Sequence, residues 1–119
     1  MKYRESEEMY LETILLLKKE MKKVRSIDIA NTLNYSRASV SRAINLLKER
    51  GFITVVNSLI EFTESGLQKA KDIYERHEII TGVLHKMGVP VEVAEDNACR
   101  IEHVIEPELL VYFKKFIEE

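Results

Sequence analysis

Apolar side chains recur at helical spacing over most of this chain. The first such segment covers residues 5–21, which begin with acidic residues and end with lysines, the order that a helix dipole favours. Similar segments follow at 64–86, for which Thr63 is the predicted N-cap, and at 90–105 and 107–117. Each has polar side chains opposite its apolar face, so each is predicted to pack one side against a core. The pattern therefore predicts a mainly α-helical protein.

Shorter elements interrupt this pattern in the first half of the chain. Ser26 is the predicted N-cap of a helix over 27–33, and Ser36 that of a longer helix over 37–50, which ends at Gly51. A short helix, a tight turn and a longer helix form the helix-turn-helix pattern. In proteins with this motif the second helix enters the major groove of DNA.

A β-hairpin is predicted directly after the helix-turn-helix. β-Branched and aromatic residues occupy 53–56 and 59–62, on either side of the turn candidate Asn57-Ser58. A hairpin in this place is the wing of a winged helix. It is short and has few charges, so we expect its DNA contacts to be slight. The chain is thus predicted to hold a winged helix-turn-helix domain over residues 1–63 and a helical domain over 64–119.

The charge distribution supports a nucleic-acid partner for the first domain. The 119 residues carry a net charge of −2, but residues 18–50 hold nine Lys or Arg against three acids. A basic block in an otherwise acidic protein indicates a local polyanion-binding surface, although a solvated helix face would give the same count. Short or cationic side chains suit base edges and phosphates. The candidate DNA contacts are Arg25, Ser36, Arg37, Ala38, Ser39 and Arg42.

Metal-binding chemistry is predicted near the C-terminus. In a helix over this stretch, Glu95, Cys99, Glu102 and His103 fall at i, i+4, i+7 and i+8, which is one stripe. A thiol, an imidazole and two carboxylates together suit a first-row transition metal. One helix cannot surround an ion, so other segments must complete the ligand set.

Three residues elsewhere are candidates to complete it. Met9 and Glu12 lie at i, i+3 on one face of the first helix, and His77 lies on the apolar face of the helix over 64–86. Each also has an ordinary structural explanation. Met9 would be a core residue, Glu12 a surface acid and His77 a histidine whose hydrogen bonds are satisfied in the core.

The composition of the chain limits its possible fold class and its expected location in the cell. The single cysteine, Cys99, excludes an intrachain disulfide, and the four Gly and two Pro argue against a turn-rich β fold. The sequence shows no apolar run of membrane-spanning length and no signal-peptide pattern, so we expect a cytoplasmic protein without membrane contact. The last helix has more large apolar residues than one face needs, so part of its surface is expected to meet a second subunit.

Several motifs together resemble the diphtheria-toxin-repressor family (DtxR/MntR) of iron- and manganese-dependent repressors. They are Glu8-Met-Tyr-Leu-Glu-Thr-Ile14, the helix-turn-helix and wing, Tyr74-Glu-Arg-His77 and, above all, Ala98-Cys-Arg-Ile-Glu-His-Val104. The resemblance implies an N-terminal winged helix, a helical metal-binding and dimerisation domain, and Fe(II) or Mn(II) as co-repressor. It also implies a homodimer on a palindromic double-stranded DNA operator.

The resemblance assigns ligands residue by residue. Met9, Cys99, Glu102 and His103 match one family metal site. His77 and Glu102 match positions at the neighbouring site or of a bridging ligand, and Glu12 matches a ligand of the manganese-responsive members. Glu95 and Thr81 differ, since iron-responsive members place a histidine and a glutamate at these two positions. The short length resembles the manganese regulators, whereas the Met and Cys ligands favour iron.

Two other functions are compatible with parts of the pattern. One is a metal-independent winged-helix regulator, in which the stripe from Glu95 to His103 is only a polar interface. The other is an enzyme that uses Cys99 and His103 as nucleophile and base, or a metal-bound water. No glycine-rich oxyanion or phosphate loop accompanies that pair in the sequence, so an enzyme is not expected.

Overall fold

Six helices and one β-hairpin make up the described part of the chain. The computed structural model describes the backbone of residues 2–119 and the side chains from residue 7 onward. The prediction of a mainly helical protein with a hairpin after the helix-turn-helix is confirmed. The elements are α1 (Lys2–Glu20), α2 (Ser26–Leu33), α3 (Arg37–Glu49), β1 (Ile53–Val56), β2 (Leu59–Phe62), α4 (Glu64–Lys86), α5 (Val91–Ile101) and α6 (Pro107–Glu118).

The chain forms two compact units, Met1–Lys71 and Asp72–Glu119. They divide within α4, so this helix contributes its first third to one unit and the rest to the other. The proposed domain boundary between residues 63 and 64 stays a prediction. None of the helices in the described part of the chain combines the length and apolarity needed to cross a lipid bilayer.

The first unit is a helical core with the hairpin beside it. Helices α1, α2 and α3 contact one another, and α3 also contacts β1. Each element buries the apolar face that its periodicity predicts. The fully or almost fully buried apolar side chains include Leu11, Ile14, Val24, Ile29, Val40, Ile44, Leu47, Ile53 and Ile60.

Side-chain caps start two of the helices where the sequence predicts them. The Ser36 hydroxyl accepts a hydrogen bond from the Ser39 backbone N–H at 3.1 Å, and Thr63 Oγ1 accepts one from the Gly66 N–H at 3.1 Å. The prediction for Ser26 is wrong, because Ser26 is the first residue of α2. Arg25 precedes it as the cap, and its backbone N–H donates to Asp28 Oδ2 at 2.9 Å.

The hairpin has the register that its turn residues dictate. Val56 pairs with Leu59 and Ile53 with Phe62 in an antiparallel ladder. Asn57 and Ser58 have φ values of 53° and 67°, as a two-residue turn of type I′ requires. The inward side chains of Ile53 and Ile60 then bury the wing against the rest of the unit, and the Ile60 N–H donates to the Val24 carbonyl at 2.9 Å.

Gly66 in the first turn of α4 allows a close approach by Phe52, which lies between α3 and β1. A Cβ at Gly66 would lie 1.8 Å from the Phe52 carbonyl oxygen, which is backbone and cannot rotate away. The same carbonyl accepts a hydrogen bond from the Thr63 N–H at 3.0 Å, which holds it in place. Because Gly66 has no side chain, the start of α4 can pack against the backbone of Phe52 without a clash.

Replacing Gly66 with alanine is expected to destabilise the first unit by about 1–3 kcal/mol or more, because the new methyl group would displace backbone. The midpoint of denaturant unfolding measures the change. Gly82→Ala in the same helix is the matched control. Its Cβ would meet only the Ile117 side chain at 3.4 Å, so the higher helix propensity of alanine should leave stability unchanged or raised by up to about 1 kcal/mol. Equal midpoints for the two variants would contradict the close approach of Phe52.

The second unit packs α5 and α6 against the C-terminal part of α4. Its core contains Ile80, Ala98 and Ile105, with Leu84, Ile101, Leu110 and Phe113 around them. The predicted helix over 90–105 is too long, because α5 ends at Ile101. Residues 102–104 form a tight turn in which the Val104 N–H donates to the Ile101 carbonyl at 3.0 Å. Glu106 precedes a proline and is extended, so the helix has to stop before it.

Candidate metal centre and nucleic-acid interface

A group of three possible metal ligands lies within the second unit. His77 comes from α4, Cys99 from α5, and Glu102 is the residue that caps the end of α5. One nitrogen, sulfur or oxygen atom from each lies within 4.8 Å of those of the other two. The pairing of α4 with α5 thus brings together residues that are 22 and 25 positions apart in the sequence.

His77 is held between two carboxylates. Its Nδ1 is 2.7 Å from Glu102 Oε1, and its Nε2 is 2.7 Å from Glu95 Oε2. The Glu102 side chain is fully buried, that of His77 is 12% exposed and that of Glu95 is half exposed. The hydrogen bond to Glu102 is the largest cause that raises the pKa of His77 to about 9, and Glu95 adds to it, while burial acts in the opposite direction. Without a metal, His77 is therefore a cation at neutral pH.

Neighbouring side chains fix the position of this group. The Tyr74 ring stacks on the His77 ring, with 6.1 Å between centroids and 14° between planes. Arg76 Nη1 donates to the Glu102 carbonyl at 2.8 Å and so occupies one of the free carbonyls at the end of α5. The buried Thr81 hydroxyl donates to carbonyls of its own helix, those of His77 and Glu78, each at 3.0 Å. The Thr81 hydroxyl thus already has backbone acceptors within its own helix.

One oxygen of the buried carboxylate has no hydrogen bond. Among the side chains that the structure describes, Glu102 Oε2 is the buried oxygen without a partner, although such an atom normally has one. The His103 Nε2 atom is 3.8 Å from it, too far for a hydrogen bond. A buried carboxylate oxygen beside two imidazoles and a thiol has the chemistry of a site for a divalent first-row ion. The residues present in the second unit therefore fit Fe(II) or Mn(II).

The other two predicted ligands, Met9 and Glu12, belong to α1 in the first unit. Met9 is half-buried, and its sulfur accepts a hydrogen bond from the Tyr35 hydroxyl at 3.8 Å. Glu12 is buried, not the surface acid of the ordinary explanation. A metal-binding role for both residues stays a prediction.

The candidate DNA contacts lie on or next to α3. Arg25, Arg37, Ala38 and Arg42 are exposed, and Arg42 Nη2 donates to the Ser39 hydroxyl at 3.4 Å. The Ser36 hydroxyl caps α3, so this side chain already has a structural task. Four exposed side chains, three of them cationic, thus stand at the start of the second helix of the motif and just ahead of the first.

A notch of about 430 Å³ lies between this helix and the wing. Two arginines and three serines contribute to it, so its lining suits a phosphate group. Sequence reasoning missed Ser41 and the wing residue Ser58, because only the folded hairpin places the turn at 57–58 beside α3. The lining residues are Arg25, Ser26, Ile27, Arg37, Ser41, Val55 and Ser58.

Comparison with known sequence families covers nearly the whole chain. Residues 2–59 match the family described as "Iron dependent repressor, N-terminal DNA binding domain". Residues 63–119 match the family described as "Iron dependent repressor, metal binding and dimerisation domain". The two matches follow each other in the order that the sequence motifs predict.

Individual relatives agree with this assignment. An uncharacterised HTH-type transcriptional regulator of Methanocaldococcus jannaschii is 30% identical over 97% of this chain and 94% of its own length. The transcriptional regulator MntR of Escherichia coli is 31% identical over 92% of this chain and 72% of its own. The fold is similar to a manganese-dependent transcriptional repressor solved in complex with manganese, with a TM-score of 0.87 and 22% identity. That match covers 94% of this chain but 52% of the solved one, so the chain spans about half its length.

Proposed function

This chain belongs to the iron-dependent repressor family, the family of metal-dependent transcriptional repressors, and we propose that it binds operator DNA under the control of Fe(II) or Mn(II). The observation that carries the proposal is the buried Glu102 carboxylate, with one oxygen unpaired, beside His77 and Cys99. No catalytic task is assigned to Cys99 and His103, because both lie around a carboxylate that suits metal binding. DNA as the partner makes the cytoplasm the proposed location.

In the second unit, His77, Cys99, Glu102 and His103 would hold the ion. A divalent cation there would supply positive charge beside the Glu102 carboxylate, which is buried. Glu102 would contribute its unpaired oxygen, which would remove the free-energy cost of an unsatisfied buried acceptor. Cys99 would contribute a thiolate and His77 a neutral ring, so both side chains would release a proton on coordination.

Met9 and Glu12 are proposed to contribute to the same ion. Support comes from the sequence, where both residues match ligand positions of the family, and from the burial of Glu12. Buried carboxylates are almost always paired or coordinate a metal. Because these two residues belong to the first unit, an ion that they share with the second unit would restrict movement between the units.

Restricted movement is the proposed link to DNA binding. A dimer presents two α3 helices, which must reach major grooves about 34 Å apart. Metal binding favours the arrangement that fits DNA only as far as the ion binds that arrangement more tightly than others. In this proposal the metal-free protein lacks the restriction that the ion would impose, so it would bind operator more weakly.

A second copy of this chain is the proposed partner of α6. Leu109, Tyr112 and Phe116 lie at i, i+3 and i+7 and are 47%, 60% and 39% exposed. They form an apolar stripe on a helix whose Leu110 and Phe113 already pack against the core of the second unit. An apolar stripe of this kind is typical of a homodimer contact.

Anaerobic calorimetry with Mn(II) or Fe(II), with and without a palindromic operator, tests the proposal. The ion should bind the protein, and it should bind more tightly when operator is present, because the coupling between the two ligands is reciprocal. Equal ion affinity in the two titrations would rule out metal control of DNA binding. Absence of ion binding in both would leave a metal-independent regulator.

Metal affinity is expected to fall as the pH is lowered from 8 to 6. Each proton that binding displaces, from the Cys99 thiol or from the His77 ring, costs about tenfold in affinity per pH unit below the pKa of that group. Titrations at three pH values in two buffers of different ionisation enthalpy measure both the affinity and the number of protons released. A pH-independent affinity would show that neither residue coordinates.

A further inference from the structure

Glu95 contacts the metal-binding group from one side only. Its Oε2 atom is 2.7 Å from His77 Nε2, on the opposite edge of the ring from Nδ1 and Glu102. Among the described side chains, the possible ligand atoms of His77, Cys99 and Glu102 lie together, and Glu95 does not belong to any such group. Glu95 is half exposed, whereas Glu102 is fully buried.

The same arrangement occurs at many metal sites, where a carboxylate that does not bind the metal contacts a histidine ligand. A histidine that coordinates a metal through one ring nitrogen usually donates its other N–H to a carboxylate, which fixes the ring orientation and raises its basicity. Here Nδ1 faces the buried Glu102, and Nε2 is occupied by Glu95. The nitrogen that remains for an ion is therefore Nδ1.

We propose that Glu95 is a positioning residue that holds His77 through Nε2–H, so that Nδ1 faces the ion, and that it is not itself a metal ligand. The inference rests on the proposed metal site and replaces the role that the sequence suggests for Glu95. Two further contacts restrict the same ring, since Tyr74 stacks on its face and Glu102 binds its other edge. Glu95, Glu102 and Tyr74 thus each restrict the orientation of the His77 ring.

The backbone of α5 explains why Glu95 can do this. Glu95 and Glu102 are seven residues apart, two helical turns, so their side chains leave the same face of α5 about 10 Å apart along its axis. An imidazole from α4 fits between them with one nitrogen toward each. A residue at position 95 that could not accept a hydrogen bond would remove one of the three contacts that restrict the ring.

Co(II) titration followed by visible absorption separates a positioning residue from a ligand, because the absorption bands of Co(II) depend on its ligand set. Glu95→Ala should lower Co(II) affinity roughly 10–100-fold and leave the band positions of the wild type unchanged. Glu95→Gln keeps a hydrogen-bond acceptor and should recover much of the affinity. Glu92→Ala, which removes an exposed acid from the first turn of the same helix, is the matched control and should bind Co(II) like the wild type.

Nuclear magnetic resonance supplies a readout that does not require the ion. The His77 Hε2 proton should exchange slowly in metal-free wild type, persist in Glu95→Gln and with Zn(II) bound, and vanish in Glu95→Ala. A changed Co(II) spectrum in Glu95→Ala would make Glu95 a ligand, and unchanged affinity would remove its role altogether. If wild type binds no Co(II), the metal site itself fails, and the proposal fails with it whatever the Hε2 signal shows.

Discussion

Replacing His103 with alanine is expected to abolish the gain in operator affinity that Mn(II) or Fe(II) produces. The His103 side chain is 9% exposed, and its Nε2 lies 3.8 Å from the unpaired oxygen of Glu102. Loss of this nitrogen leaves the ion with fewer ligands, while the fold keeps its core of Ile80, Ala98 and Ile105. Metal binding should raise the operator affinity of the wild type roughly 5–150-fold, and it should not change the operator affinity of the variant.

Mobility-shift titrations with the metal and with a chelator measure this coupling. His85→Ala is the matched control, because His85 is an exposed histidine in the last turn of α4 and is outside the ligand group. It should keep the full metal response. A His103→Ala protein with an unchanged response, or a wild type that binds operator equally well with chelator, would falsify the proposed site.

Replacing Arg37 and Arg42 together with alanine is expected to weaken operator binding by about 100-fold or more. Single contacts of a guanidinium to a base edge contribute roughly 1–3 kcal/mol, and phosphate contacts add to affinity through counterion release. Arg37 opens α3 and lines the notch beside the wing, and Arg42 lies little more than one turn further along. Both side chains are exposed, so the free energy of unfolding should change little.

The salt dependence of each single variant distinguishes the two kinds of contact. If Arg42 binds a phosphate, its removal should weaken binding to all DNA sequences equally and reduce the salt slope by about one. If it binds a base edge, its removal should weaken binding to the operator more than binding to random DNA. Lys48→Ala, at the other end of α3 and about 16 Å along its axis from Arg37, serves as the control and should have little effect. Unchanged binding by both arginine variants would mean that α3 is not the recognition helix.

Local signals in the sequence were sufficient for most of the secondary structure. The strands 53–56 and 59–62 were predicted with the bounds that the structure has, because Asn57-Ser58 readily adopts the positive φ angles of a tight turn. The caps at Ser36 and Thr63 were also predictable, since a hydroxyl just before an apolar-periodic segment satisfies free N–H groups there. The cap of α2 was not, because Asp28 takes over the task expected of Ser26.

The residue at which α5 ends could not be predicted from the apolar periodicity. The apolar stripe continues through Ile105, so the periodicity predicts a helix up to that residue. The chain instead turns at 102–104, where the core of the second unit and the extended residue before Pro107 decide the path. The packed structure, and not the helical repeat, therefore places Glu102 fully inside and His103 beside it.

By itself the sequence determined the fold class, the helix-turn-helix with its wing, the exposed arginines at the start of α3, and the types of side chain that bind a metal. Only the tertiary structure decided which nitrogen of His77 faces Glu102, that Glu95 occupies the other one, and that Glu102 keeps one oxygen unpaired. Periodicity and capping act over a few residues and can be read along the chain. A hydrogen bond between side chains 18 or 25 residues apart depends on how α4 and α5 pack, which no local pattern encodes.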